Sequence, residues 1–201
     1  MRIAVVGTGT LGAALGKVWS AAGHTIMYGS RDPASANASA LGAVAIADAA
    51  RSSEIVLLAV PWHAALASVA AAGNLAGKVI IDPINAFASD LSLTVGHTTS
   101  VAEKIARAAA GARVVKAFNT IGASNTRNLR FDGGTASGFI CGDDAEAKAK
   151  VAALADVVGV DVVDCGPLKN ARALEPLAML WGQLAFPLGL GPDIAFRLMR
   201  R

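Results

Sequence analysis

Gly7-Thr8-Gly9-Thr10-Leu11-Gly12 follows directly on the apolar run Ile3-Ala4-Val5-Val6 and opens a stretch in which Leu11, Leu15, Val18 and Trp19 recur at helical spacing. No other feature of the chain restricts its fold so tightly. The run is short and rich in β-branched residues, the pattern of a strand buried on both faces. Gly23 stops the helix, and Thr25-Ile26-Met27-Tyr28 reads as a second strand. Strand, glycine turn, helix and strand fit one βαβ unit. In such a unit Gly7 permits the tight turn, Gly9 lets a pyrophosphate approach the backbone, and Gly12 lets the helix lie close to the strand. The N–H groups that open the helix then face the phosphates. A lone G-x-G-x-x-G is a weak signal that a ligand-free turn also satisfies; here the flanking elements complete the dinucleotide-binding context.

The second strand ends in Gly29-Ser30-Arg31. NAD-binding units place an acid at this point, bonded to the ribose 2′-hydroxyl. A carboxylate repels a 2′-phosphate, whereas an arginine fork and a serine hydroxyl bind one. The reading is therefore NADP(H). Asp32 argues against it, and the bland alternative makes Ser30 and Asp32 turn residues and Arg31 a solvated charge.

Beyond this unit the pattern alternates. Ala43-Val44-Ala45-Ile46 reads as a short third strand, Glu54 to Val60 as a buried one, Lys78 to Asp82 and Arg113 to Phe118 as two more. Pro61 pre-sets the first turn of a helix. Val101 to Ala110 and Glu146 to Val157 read as helices, the second preceded by Asp143-Asp144 as cap. The expected class is α/β, a Rossmann-like doubly wound parallel sheet, with residues 1–166 as the NADP-binding domain. From Leu168 on the alternation stops, and residues 167–201 are expected to form a short C-terminal helical extension.

Composition removes several classes. A net charge of +3 without a basic cluster argues against nucleic acid. Three scattered histidines and two cysteines suggest neither a metal site nor a disulfide framework. Cys141 and Cys165 lie in strand-like runs and are expected to be buried, inert thiols. Arg2 and the apolar residues after it imitate a signal peptide, but glycines and threonines with a better explanation break the run. The late apolar stretch from Pro176 to Gly191 is interrupted by Gln183 and Pro187, too short to span a bilayer. We expect a cytoplasmic protein with no membrane segment. Its mean hydropathy of +0.50 is high, and a self-association surface, most simply a homodimer, is the expected outlet.

In a doubly wound sheet the ligand lies outside the carboxyl ends of the strands. The loops there read Val60-Pro61-Trp62-His63, Asp82-Pro83-Ile84-Asn85 and Asn119-Thr120-Ile121-Gly122, each with polar groups or a flat ring beside an apolar wall. Together with Cys141-Gly142-Asp143-Asp144 and Cys165-Gly166-Pro167-Leu168-Lys169-Asn170-Ala171-Arg172, this ordered series resembles the NADPH-dependent deazaflavin (factor 420) reductase family over nearly the whole chain. It is similar too to the oxidoreductase domain of the transmembrane ferric reductases. The resemblance implies that Thr8, Ser30 and Arg31 contact the 2′-phosphate end, that the glycine loop cradles the pyrophosphate, and that Val60-Pro61 and Asn85 flank the nicotinamide. It also implies that the C-terminal end helps close the acceptor pocket and build the dimer. Asn119 stands where the archaeal deazaflavin enzymes carry a histidine, a departure that bears on the identity of the acceptor.

Hydride transfer between two planar rings depends on near-attack distance and on excluding water, and needs no acid–base pair. The loops carry few titratable groups, which suits that chemistry, and no catalytic residue is assigned. Asn119, Thr120 and His63 are the substrate-side candidates. His63 is also the candidate proton donor if the enzyme is instead a small-molecule carbonyl or imine reductase; the chain's length argues against the longer helical domain of imine reductases. A third possibility is an NADP-binding redox module without turnover. Trp62 serves equally as a stacking wall or as core. Lys116 is expected to be structural, snorkelling to the sheet end, and Asp82 to brace the turn at Pro83.

Overall fold

The computed structural model describes residues 1–201, with the side chain of Arg127 outside what it describes. In chain order the strands are β1 (Arg2–Val6), β2 (Thr25–Ser30), β3 (Val44–Ala45), β4 (Ile55–Leu58), β5 (Val79–Asp82), β6 (Arg113–Lys116), β7 (Arg130–Phe131), β8 (Gly134–Thr135), β9 (Ser137–Gly142) and β10 (Asp161–Asp164). The α-helices are α1 (Thr10–Ala21), α2 (Ala36–Ala40), α3 (Ile46–Arg51), α4 (Trp62–Ala72), α5 (Val101–Ala108), α6 (Ala145–Val158) and α7 (Ala171–Ala185). Eight strands form one sheet in the order β10-β9-β6-β5-β4-β1-β2-β3. From β3 to β6 all neighbours are parallel, the doubly wound arrangement.

Strand residues alternate between two cores. Ala4, Val6, Val56 and Leu58 pack on the side of α3, α4 and α5. Ile3, Val5, Ile55 and Leu57 pack on the opposite side, with Leu15 and Trp19 of α1 and Val151 and Leu154 of α6. A continuous apolar run is required because both faces of these strands are covered. Trp19 donates its indole N–H to the Leu154 carbonyl at 2.9 Å and so ties α1 to α6. Asp144 caps α6, accepting from the Ala147 amide at 2.7 Å, and Gly159 ends that helix in the left-handed region.

The Rossmann-like α/β class holds: the sheet is mostly parallel, with β9 antiparallel to β6 and β10 parallel to β9. Finer expectations need correction. Ile46 begins a helix instead of ending β3. Pro61 is the N-cap of α4 and lies before its first turn. The C-terminal extension is helical only to Ala185; hydrogen-bonded turns follow to Gly191, and the tail beyond them returns to β9, where Ser137 donates its amide to the Phe196 carbonyl at 2.9 Å. Among the described residues no helix is long and apolar enough to cross a membrane.

Candidate functional site

β1 lies between β2 and β4, and α1 and α3 lie in opposite cores. The chain therefore winds away from this point in both directions, which opens a crevice between the loops after β1 and β4. Gly7 closes β1 at φ +109° and donates its amide to the Gly29 carbonyl at 3.0 Å. A side chain on Gly7 would land on the Ala59 carbonyl oxygen and beside Val60. At Gly12 an added Cβ would sit 2.6 Å from the Gly7 carbonyl and 3.1 Å from Val5 and Ala59. Both positions thus serve close backbone approach. Gly9 differs, because a Cβ there would meet nothing within 4 Å. As N-cap of α1, Gly9 offers no side-chain bond, and the first turn holds no carboxylate. The first-turn amides of α1, which have no intrahelical acceptor, therefore stand beside the open space at Gly9 at the positive end of the helix dipole, a fit for a pyrophosphate.

The end of β2 is one hydrogen bond away. The Ser30 hydroxyl donates to the Asp32 carbonyl at 2.9 Å and accepts from the Asp32 amide at 3.1 Å. Asp32 turns its carboxylate back to the Ala34 amide at 3.1 Å. Ser30 and Asp32 do build a turn. Arg31 does not take part; it is exposed and enters no ion pair or side-chain hydrogen bond among the described residues. Thr8, half-buried, lies in the neighbouring loop. An unpaired guanidinium beside an uncapped glycine loop fits a second phosphate.

On the far side of the crevice stand the ends of β4, β5 and β6. Val60 reaches the glycine loop, Pro61 is exposed, and Trp62 packs its partly buried ring on the core. Asn85 and Asn119 meet: Asn85 Nδ2 donates to the Asn119 main-chain carbonyl at 2.8 Å, and Asn119 Nδ2 to Asn85 Oδ1 at 3.1 Å. Asn119 Nδ2 also donates to the Leu174 carbonyl at 2.8 Å, joining α7 to the β6 loop. Asn119 and Thr120 are buried, whereas His63 is exposed on α4 and bonds to neither. Phe118 precedes Asn119 at φ +63°, an uncommon conformation for a bulky residue, and meets Trp19 edge-on at 5.9 Å. Trp181 of α7 covers Gly122, where an added Cβ would come within 2.9 Å of its ring; its indole N–H donates to the Ile194 carbonyl at 2.8 Å. An open groove of about 900 Å³ runs along α1 from Thr10 to Ala21, opposite Ala123, Ser124 and Thr126.

Lys116 corrects its expectation. It does not snorkel, because its ammonium is fully buried between Asp82 at 3.0 Å and Glu175 at 2.8 Å and also donates to the Ile84 carbonyl. Asp82 braces its turn as expected, accepting from the Ile84 amide at 2.8 Å. Glu175 accepts from the Val101 amide through both oxygens, at 2.9 and 3.1 Å. Two carboxylates thus face one ammonium, and the start of α5 takes up the excess negative charge. Burial pushes the Glu175 carboxyl up and the Cys141 thiol up to about 12. Cys165, expected in the core, is only partly buried. Sequence reasoning missed Leu174 and Glu175; the one signal was a lone carboxylate in the apolar run of α7.

Residues 2–86 match the family model described as NADP oxidoreductase, coenzyme F420-dependent. The F420-dependent NADP reductase of Methanothermobacter thermautotrophicus is 32% identical over 204 residues, covering 90% of this chain and 87% of that protein. A crystal structure from Arthrobacter sp. FB24, assigned as an F420-dependent NADP reductase, covers 100% of both chains at 35% identity and a TM-score of 0.90. The metalloreductase STEAP3 of Rattus norvegicus is 32% identical over 89% of this chain, which spans 37% of that longer protein. With an F420-dependent NADP reductase matched at 32% identity over most of both chains, the chain belongs to the family of coenzyme F420-dependent NADP oxidoreductases.

Proposed function

We propose that this oxidoreductase binds NADP(H) along the carboxyl edge of its sheet and exchanges hydride with a deazaflavin or flavin-like acceptor. The observation that carries the reading is Arg31, exposed and without a partner among the described residues, two residues past Gly29, whose carbonyl accepts from the Gly7 amide of the uncapped glycine loop. Arg31, Ser30 and Thr8 hold the 2′-phosphate, and the amides from Gly9 to Gly12 hold the pyrophosphate. Val60, Pro61 and Asn85 flank the nicotinamide, with Trp62 and the Asn119-Thr120 loop around it. When bound, NADPH supplies a hydride from its nicotinamide ring. The protein's part is to align two rings and exclude water, and no side chain is asked to donate a proton.

Residues 1–166 form the nucleotide unit, and residues 167–201 close the acceptor side. Trp181 on Gly122 and Asn119 on Leu174 support that division. Leu180, Phe186, Leu188 and Leu190 are large, apolar and exposed on this segment, which supports self-association as a homodimer. Stopped-flow oxidation of NADPH with deazaflavin, FMN, FAD and ferric chelates tests the acceptor. Rapid oxidation with one ring acceptor is expected. Silence with all of them, alongside carbonyl-dependent NADPH consumption that a His63→Ala substitution abolishes, would replace this reading with a carbonyl reductase.

A further inference from the structure

The turn after β2 contains a hydroxyl that the binding roles above leave unused. Ser35 Oγ donates to the Asp32 carbonyl at 2.8 Å, the same oxygen that receives the Ser30 hydroxyl at 2.9 Å and the Ser35 amide at 3.3 Å. Ser35 stands at the N-cap of α2, yet its side chain makes no cap bond there. An N-cap serine ordinarily accepts from the amide of the second or third residue of its helix. Here the side chain is turned back onto the loop.

A serine hydroxyl has one proton to give, and phosphate oxygens only accept from it. Ser30 can therefore serve a 2′-phosphate only by withdrawing its proton from the Asp32 carbonyl. Its oxygen keeps the Asp32 amide as donor at 3.1 Å, so it stays in place while the proton swings. The carbonyl it leaves still holds the Ser35 hydroxyl. Without that hydroxyl the carbonyl would retain only the long amide contact, and the Ser30 proton would be held back.

We propose that Ser35 is a positioning residue of the 2′-phosphate site, which stabilises the Asp32 carbonyl so that the Ser30 proton is released to the phosphate. This rests on the NADP reading of Ser30 and Arg31. Calorimetric titration of the full chain with 2′,5′-ADP and with 5′-ADP tests it. Ser35→Ala is expected to weaken 2′,5′-ADP about fivefold, the worth of one neutral hydrogen bond, and to leave 5′-ADP unchanged; Ser35→Thr, which keeps the hydroxyl, restores binding. Unchanged 2′,5′-ADP affinity in Ser35→Ala, or an equal loss for both ligands, would overturn the role of Ser35 while the NADP reading stands. A wild-type chain that fails to prefer 2′,5′-ADP overturns both.

Discussion

Two cations stand at the carboxyl edge of the same sheet and have opposite surroundings. Lys116, at the end of β6, is fully buried and meets two carboxylates and a carbonyl. Arg31, just past β2, is exposed and meets none among the described residues. The difference follows from what covers each strand end. The β6 end lies under α7, so a charge there must be matched by the protein itself. The β2 end lies beyond the glycine loop, where the protein leaves open space. A cation with its partners in place is architecture, and one without them leaves its charge to be met by solvent or by the ligand proposed above.

The sharpest way to break that contrast is Lys116→Met. It strands Asp82 and Glu175 without their cation, and a loss of about 3–5 kcal/mol in denaturant unfolding is expected. A loss under about 1 kcal/mol would mean that the buried ammonium does not hold the two carboxylates in place. Arg31→Ala is expected to leave stability alone and to cost about 1.5–3 kcal/mol of NADPH binding, roughly ten- to hundredfold, with NADH unaffected. Fluorescence titration with both nucleotides decides it, and equal losses would return Arg31 to the status of a solvated charge.

A smaller effect is expected from pH. Burial raises the Glu175 carboxyl, so its contribution to stability is present below the unfolded value of about 4.3 and is lost as pH rises through the folded value. Glu175→Gln should remove that slope, so melting curves of variant and wild type should diverge as pH rises above about 4; parallel curves would contradict the assignment. Smallest is the change from Arg172→Ala. Arg172 grips Glu103 through two bonds of 2.9 and 2.6 Å and holds its carboxyl below the usual range. That contribution is present above the unfolded value and is lost as pH falls through the folded one. The variant's slight loss of thermal stability near neutrality should therefore vanish in acid, and a loss that persisted at low pH would point to packing.

What was legible in the sequence was local. The glycine turn, the helix after it and the Ser30-Arg31 pair declare themselves within a few residues, since turn chemistry and apolar period are local properties. The reversal of β9 was not legible, because strand direction is set by the connection through β7 and β8 and not by the strand's own residues. Ile46 looked like strand because an apolar residue suits either state; only packing beside Gly29, with its Cα 3.2 Å from a Cβ built there, makes it the start of α3. The tail after Ala185 is apolar enough for a helix, but Pro187, Gly189 and Gly191 break it. Lys116 was misread for the same reason. Its two carboxylates lie 34 and 59 residues away, and no window along the chain contains all three. The Asn85–Asn119 pairing was hidden in the same way.

The position of Glu175 also gives α7 a double fastening. Asp82 and Lys116 stand on neighbouring strands and can pair one to one without it. Glu175 comes from α7 and occupies two places at once, beside the ammonium and against the amides of Val101 and Ala102. Displacing α7 would therefore leave the ammonium with one carboxylate and the start of α5 without its acceptor.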